Sequence, residues 1–171
     1  MKISGLALAV FAITACGGGT TTPGQGTCSA TLTGALTGTY DCQAALGAYS
    51  STDNKSNFGG STTGNTFPDV AFAIAMAGDL HTGTFKDTDA GAIGIITVQG
   101  ANNQFWTAEV GQSNSNPKQG SYTVNLTSIG NRVAGNAGAA YIGLKGNVTA
   151  VLAPVAGTGA TGNVNLTATF Q

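Results

Sequence analysis

From Asn163 to Phe170 the chain reads Asn-Val-Asn-Leu-Thr-Ala-Thr-Phe, polar and apolar residues alternating without a break. A period of two puts Val164, Leu166, Ala168 and Phe170 on one side of an extended strand and Asn163, Asn165 and Thr167 on the other. Tyr122, Val124 and Leu126 alternate in the same way with Thr123, Asn125 and Thr127. One face of each strand belongs to a core and the other to water. Residues 70–77 alternate large and small apolar side chains between Pro68 and Gly78. Alanine favours a helix, but the length, the bounding breakers and the alternation specify a buried strand. Further runs at 92–98, 105–110, 121–129, 147–153 and 163–170, with a hairpin before them, give about eight strands and no helix. The expected fold is all-β, an antiparallel sandwich of about eight strands, with a small barrel as the alternative.

Composition agrees with that pattern and narrows function. Only 8% of the 171 residues are charged, so solubility must come from Thr, Asn, Ser and Gly, which suit pleated surfaces and turns. Beyond residue 15, five basic residues (Lys55, Lys86, Lys118, Arg132, Lys145) face seven acidic ones, a net charge near −2. No basic stripe exists for phosphate contacts, which excludes nucleic acid as the expected partner. The least regular segment is 48–69, rich in Ser, Thr, Asn and Gly with Tyr49, Phe58 and Phe67 spaced through it. It reads as a long loop, either functional or mobile. A loose echo of Gly, Leu and aromatic residues at 34–40, 78–85 and 143–148 has uneven spacing and reflects recurring strand-and-turn chemistry rather than a repeat array.

The N-terminus carries a separate signal. Lys2 precedes an apolar or small-residue stretch from Ile3 to Ile13, too short to span a bilayer. The residues that follow, Ile13-Thr14-Ala15-Cys16, resemble the bacterial lipobox. The resemblance covers the export signal alone. It implies a signal peptide at 1–15, cleavage before Cys16, and acylation of that cysteine by more than one chain, a stable anchor where one chain would be marginal. Gly17 rather than Asp follows the cysteine, which in this family implies the outer membrane rather than the inner. Residues 16–27 then form the anchor and a flexible Gly/Thr tether, and 28–171 a single β-domain.

With Cys16 assigned to lipid, Cys28 and Cys42 remain as an even pair in an exported protein, and a disulfide between them is expected. Strand phase agrees, because Cys28 runs with Ala30 and Leu32, and Cys42 with Tyr40, Ala44 and Leu46. A hairpin centred near Ala35 sets 28 opposite 42. The rival reading, two metal ligands, lacks the further Cys or His that zinc requires.

Catalytic constellations are sparse. His81 is the only histidine, and Asp79 two residues earlier invites a Ser-His-Asp reading, but no Gly-x-Ser-x-Gly elbow supplies the serine. His81 is expected to be solvated near a strand end. Glu109 is the only glutamate and the aspartates sit in turn-like surroundings, which leaves no carboxylate pair for glycoside hydrolysis. Asp87 and Asp89 in Lys86-Asp87-Thr88-Asp89-Ala90-Gly91 lack the third acid and distal glutamate of an EF-hand loop, so no metal is expected. The sequons at Asn54, Asn125, Asn147 and Asn165 follow from Asn and Thr composition. Trp106 beside Phe105 is either a core residue or, if exposed, a sugar-stacking platform; the core reading is favoured.

The sequence therefore implies a lipid-tethered, non-catalytic β-domain of the bacterial cell envelope, needing no cofactor and serving in envelope structure, adhesion or ligand binding. Its expected partners are the membrane, through lipid, and an envelope protein or polysaccharide. The alternatives are a carbohydrate-binding module, which needs an exposed aromatic row, and a small hydrolase, which needs His81 in a cleft with Asp79 and a serine.

Overall fold

The computed structural model describes residues 26–62, 67–89, 93–109, 119–135 and 138–171. The expected signal peptide, Cys16 and most of the tether lie outside them. Alternation dictates the elements. Among the described residues there are twelve strands: β1 (Gly26–Gly34), β2 (Gly38–Ser50), β3 (Lys55–Thr62), β4 (Asp69–Ala77), β5 (Gly83–Lys86), β6 (Ile93–Gln99), β7 (Phe105–Glu109), β8 (Ser121–Ser128), β9 (Asn131–Gly135), β10 (Gly138–Ile142), β11 (Lys145–Pro154) and β12 (Val164–Phe170). Among the described residues the only helical element is a 3-10 turn at Ala101–Asn103.

The sheet closes on itself. Antiparallel pairing runs β1–β12–β11–β7–β6–β4–β3–β2 and returns from β2 to β1, an eight-stranded barrel. The leading expectation of a sandwich is therefore corrected to the barrel alternative. The reason lies in two strands longer than their sequence runs. In β2, residues 38–44 pair with β1, and beyond a register shift residues 47–50 pair with β10 on the same edge. In β11, residues 145–151 pair with β8, and Ala153 and Pro154 turn to Thr107 and Trp106 of β7. One strand serving two neighbours turns a corner, which closes the barrel and lets β8–β5 and β10–β9 continue past it as two wings.

The segment 48–69 is mostly strand, which corrects the expected loop. β2 extends through Ser50, and β3 pairs residue by residue with β4 and, across a register shift between Ala45 and Ala48, with β2. Its inward positions are Ser56, Phe58 and Gly60, too polar and small to show a hydrophobic period. Ser56 is fully buried and donates to the Gly78 carbonyl at 2.8 Å. Gly60 leaves room for the Phe72 ring, whose atoms would lie 2.7 Å from a Cβ there.

The interior is packed and apolar. Phe58 and Phe72 both meet Phe170, with ring centroids 6.0 and 6.1 Å apart, within the range of favourable tilted aromatic pairs. Leu32, Ile96, Val98, Leu126, Leu152 and Leu166 fill the space between. Outward positions on β1 and β12 are exposed Thr31, Thr33, Asn165, Thr167 and Thr169. On β1 and β12 the strand is apolar inside and polar outside, whereas the outward positions of β4 and β6 include Ala71, Ala73, Ala75, Ile93 and Ile95.

Burial alters the acidity of one core group, the Tyr122 phenol. Its ring points over Gly94, where a Cβ would collide with the hydroxyl. The hydroxyl is buried with no hydrogen-bond partner among the described residues. Burial, and after it the charges of Asp87 and Asp89, push the phenol up to about 12 from 10.0. A raised pKa on a group whose ionised form is charged means that the folded state resists ionisation. Stability is thus intact below pH 10.0 and falls as the unfolded phenol ionises between about 10 and 12. The loss is about 2–3 kcal/mol across that window. Tyr122→Phe is expected to flatten this alkaline limb in urea titrations and, by removing a buried unsatisfied hydroxyl, to be neutral or stabilising at pH near 7.

Candidate functional site

Strand register brings together on one outer face what the sequence scatters between Ser29 and Thr169. Across β2, β1, β12, β11, β8 and β5 the outward residues align in rows. One row runs Thr39, Thr31, Thr167, Thr149, Thr123 and Lys86. The next runs Asp41, Ser29, Thr169, Asn147, Asn125 and Thr84. A third runs Thr33, Asn165, Val151 and Ser121. β-Sheet geometry sets the rows' members about 4.8 Å apart and the rows about 6.7 Å apart along each strand. Threonine is stiff at χ1, so its hydroxyl is held in place. Neighbours even bond within a row, as Thr31 and Thr39 do between hydroxyls at 3.2 Å, and as Thr84 does to Asn125 at 3.4 Å.

Two hollows indent this face. One, of about 320 Å³, opens between Thr27, Ser29, Asp41, Thr169 and Gln171. The other, of about 310 Å³, opens between Thr123, Thr149, Thr167, Asn165 and Asp87. Both use β12, so they lie side by side along one diagonal, each with a carboxylate at its edge. Asp41 is exposed, whereas Asp87 is 9% exposed and its backbone N–H donates to the Tyr122 carbonyl at 3.3 Å.

The expected disulfide is present. Cys28 and Cys42 are bonded, with Cα atoms 4.6 Å apart, and they occupy opposing positions on β1 and β2. Both are buried, so the bridge clasps the first hairpin from inside.

The Ser-His-Asp arrangement does not assemble. His81 is exposed, and its Nδ1 meets the Asp79 main-chain carbonyl at 3.1 Å rather than the carboxylate. Its ring stands edge-on to Phe85 at 5.1 Å. The Asp79 carboxylate is taken up elsewhere. It accepts from the Leu80 N–H at 2.9 Å and from the Tyr141 hydroxyl, and pairs with Arg132 Nε at 3.4 Å. Arg132 Nε also donates to the Tyr141 hydroxyl at 3.3 Å. This is a latch that docks the β9–β10 wing on the turn after β4. Gly47 supports it by close approach, since a Cβ there would lie 2.9 Å from both Leu80 and Leu144. Sequence reasoning singled out Asp79 but not Arg132 or Tyr141, because nothing local links residues 62 apart.

Trp106 is 2% exposed and its Nε1 donates to the Gly162 carbonyl at 2.9 Å. Phe58 is in the core, Tyr49 is half-buried and Phe67 stands exposed at 55%. The aromatic row that a stacking carbohydrate module needs is not formed by these residues. Asp89 accepts from the Lys86 N–H at 2.7 Å in a turn. Among the described residues no three His, Cys, Asp or Glu side chains gather where a metal ion could be held. Glu109 ends β7 with its backbone paired to Gln119.

Comparison with protein-family models, with curated proteins and with solved structures finds no match. Function must be read from the chain's own residues, and the feature they build most extensively is the hydroxyl-and-amide face. Its Thr and Asn were legible on β8 and β12 singly. Their alignment into rows was not, because it depends on which strands become neighbours.

Proposed function

We propose that this chain is an exported bacterial lipoprotein, anchored in the envelope by acyl chains on Cys16, whose barrel is a non-catalytic module that presents its polar face to an envelope partner. The observation that carries the reading is the lipobox-like Ile13-Thr14-Ala15-Cys16 behind a short apolar stretch. The Cys28–Cys42 bridge suits an oxidising compartment, where such bonds form and persist. The polar outer face of β1 and β12 over an apolar, packed interior suits a domain that meets water on that side. Residues 17–25 connect the anchor to β1, and nine residues reach at most about 30 Å when extended. The barrel would then sit within one domain diameter of the lipid. The absence of Asp after Cys16 favours the outer membrane.

Cys16→Ala is expected to remove acyl mass from the purified protein and to shift it out of the detergent-extracted membrane fraction. Unchanged fractionation, together with a wild-type mass that shows no acyl groups, would refute the anchor.

A further inference from the structure

We propose that the hydroxyl face is a docking surface for a neutral polysaccharide, an inference that rests on the reading of the barrel as an anchored binding module and names the partner of its outer face. The two hollows, the second of them lined by the threonine row, form one diagonal track, from Asp41 and Ser29 through Thr169 and Thr167 to Thr149 and Thr123. A threonine hydroxyl both donates and accepts, as a sugar hydroxyl does, so a rigid row of them can exchange hydrogen bonds with successive residues of a polyol chain. Carboxylates only accept. Asp41, exposed at the edge of one hollow, offers two oxygens to the adjacent hydroxyls of a sugar ring.

Charge decides the class of polymer. Lys86 ends one row and Asp41 begins another, while the threonines, serines and asparagines between them are neutral. A polyanion would meet the carboxylates that edge both hollows and gain no row of cations in return, and a polycation would find too few partners to replace its hydration. An uncharged chain loses least on leaving water here. Each exchanged hydrogen bond adds little net free energy, and the large aromatic side chains Trp106 and Phe58 are buried rather than offered for stacking. Affinity per domain is accordingly weak, and useful strength comes from many anchored copies on one surface.

The test uses cells displaying the full-length lipoprotein, incubated with insoluble cellulose, dextran beads, polygalacturonate beads and chitosan beads at low and high salt. Retention is expected on the neutral supports, unchanged by salt. Thr31→Val, Thr149→Val and Thr167→Val combined keep β-branching and volume while removing three hydroxyls, and should lower retention about ten-fold or more. Asp41→Asn should weaken it independently, and Asn57→Ala, which lies on β3 opposite Ala48 at the other end of β2 from Asp41, should not. The proposal is overturned by no retention on either neutral support, by retention on charged beads that salt abolishes, by a triple variant that binds as wild type does, or by an envelope protein captured through this face in place of the polysaccharide. Cell fractionation separates the two readings. Membrane-bound wild type that ignores both neutral supports fails this inference alone, whereas released protein that still binds them fails only the anchor.

Discussion

Trp106→Ala is expected to lower the unfolding free energy by about 3–5 kcal/mol, the largest effect of any single side chain in this barrel. The ring is 2% exposed, packs against Gly100, whose Cβ position lies 3.1 Å from Cζ3, and ties β7 to the Gly162 turn through its Nε1. Truncation removes the apolar contacts, opens a cavity that a closed sheet cannot collapse into, and leaves the Gly162 carbonyl without its donor. Urea denaturation followed by far-UV circular dichroism measures the loss. Trp106→Phe separates the terms, because it keeps most of the volume and loses only the hydrogen bond, at an expected cost of about 1–3 kcal/mol. Trp106 is the only tryptophan, so wild-type emission should shift from blue to red in the same transition. A Trp106→Ala variant within about 1 kcal/mol of wild type would contradict the packed interior.

Loss of the Cys28–Cys42 bridge is expected to cost about 3 kcal/mol. The two cysteines are 14 residues apart, and in the chain-entropy account a loop of that length, once closed, restricts the unfolded chain by about that amount. A double Cys28→Ala, Cys42→Ala variant tests this with both thiols absent. Because the pair also contributes buried surface, the measured value includes a smaller packing term. Equal midpoints of denaturation for oxidised wild type and the double variant would show that the bridge leaves stability unchanged.

What the sequence reveals here is local and what it conceals is neighbourhood. Cys28 opposite Cys42 follows from a hairpin centred near Ala35, and the observed register sets those residues face to face. β12 and β8 expose their two faces by strict alternation, and the structure buries Val164, Leu166, Ala168 and Phe170 while exposing Asn165, Thr167 and Thr169. β3 stayed hidden because Ser56 and Gly60 occupy core positions, one satisfied by a hydrogen bond and the other making room for a ring. β5, β9 and β10 are four or five residues long, too short for a period to register. Barrel closure depends on β2 and β11 each pairing twice along one edge, a choice made by tertiary packing rather than by propensity. The same holds for the threonine rows, whose members come from six strands.

The pairing of β1 with β12 carries a consequence for how the molecule is made. Cys28 lies opposite Phe170, and Thr27 and Gln171 exchange main-chain hydrogen bonds at 2.9 and 3.0 Å. β1, made early, therefore waits for β12, made more than a hundred residues later, to complete its surroundings. Until then its outer edge stands open, and the hairpin with β2, fastened by its own bridge, is what keeps that edge from wandering. The barrel behaves like a ring whose clasp is β12, held on one edge by β1 and on the other by β11, so a chain lacking residues 164–170 has no strand to join those two edges.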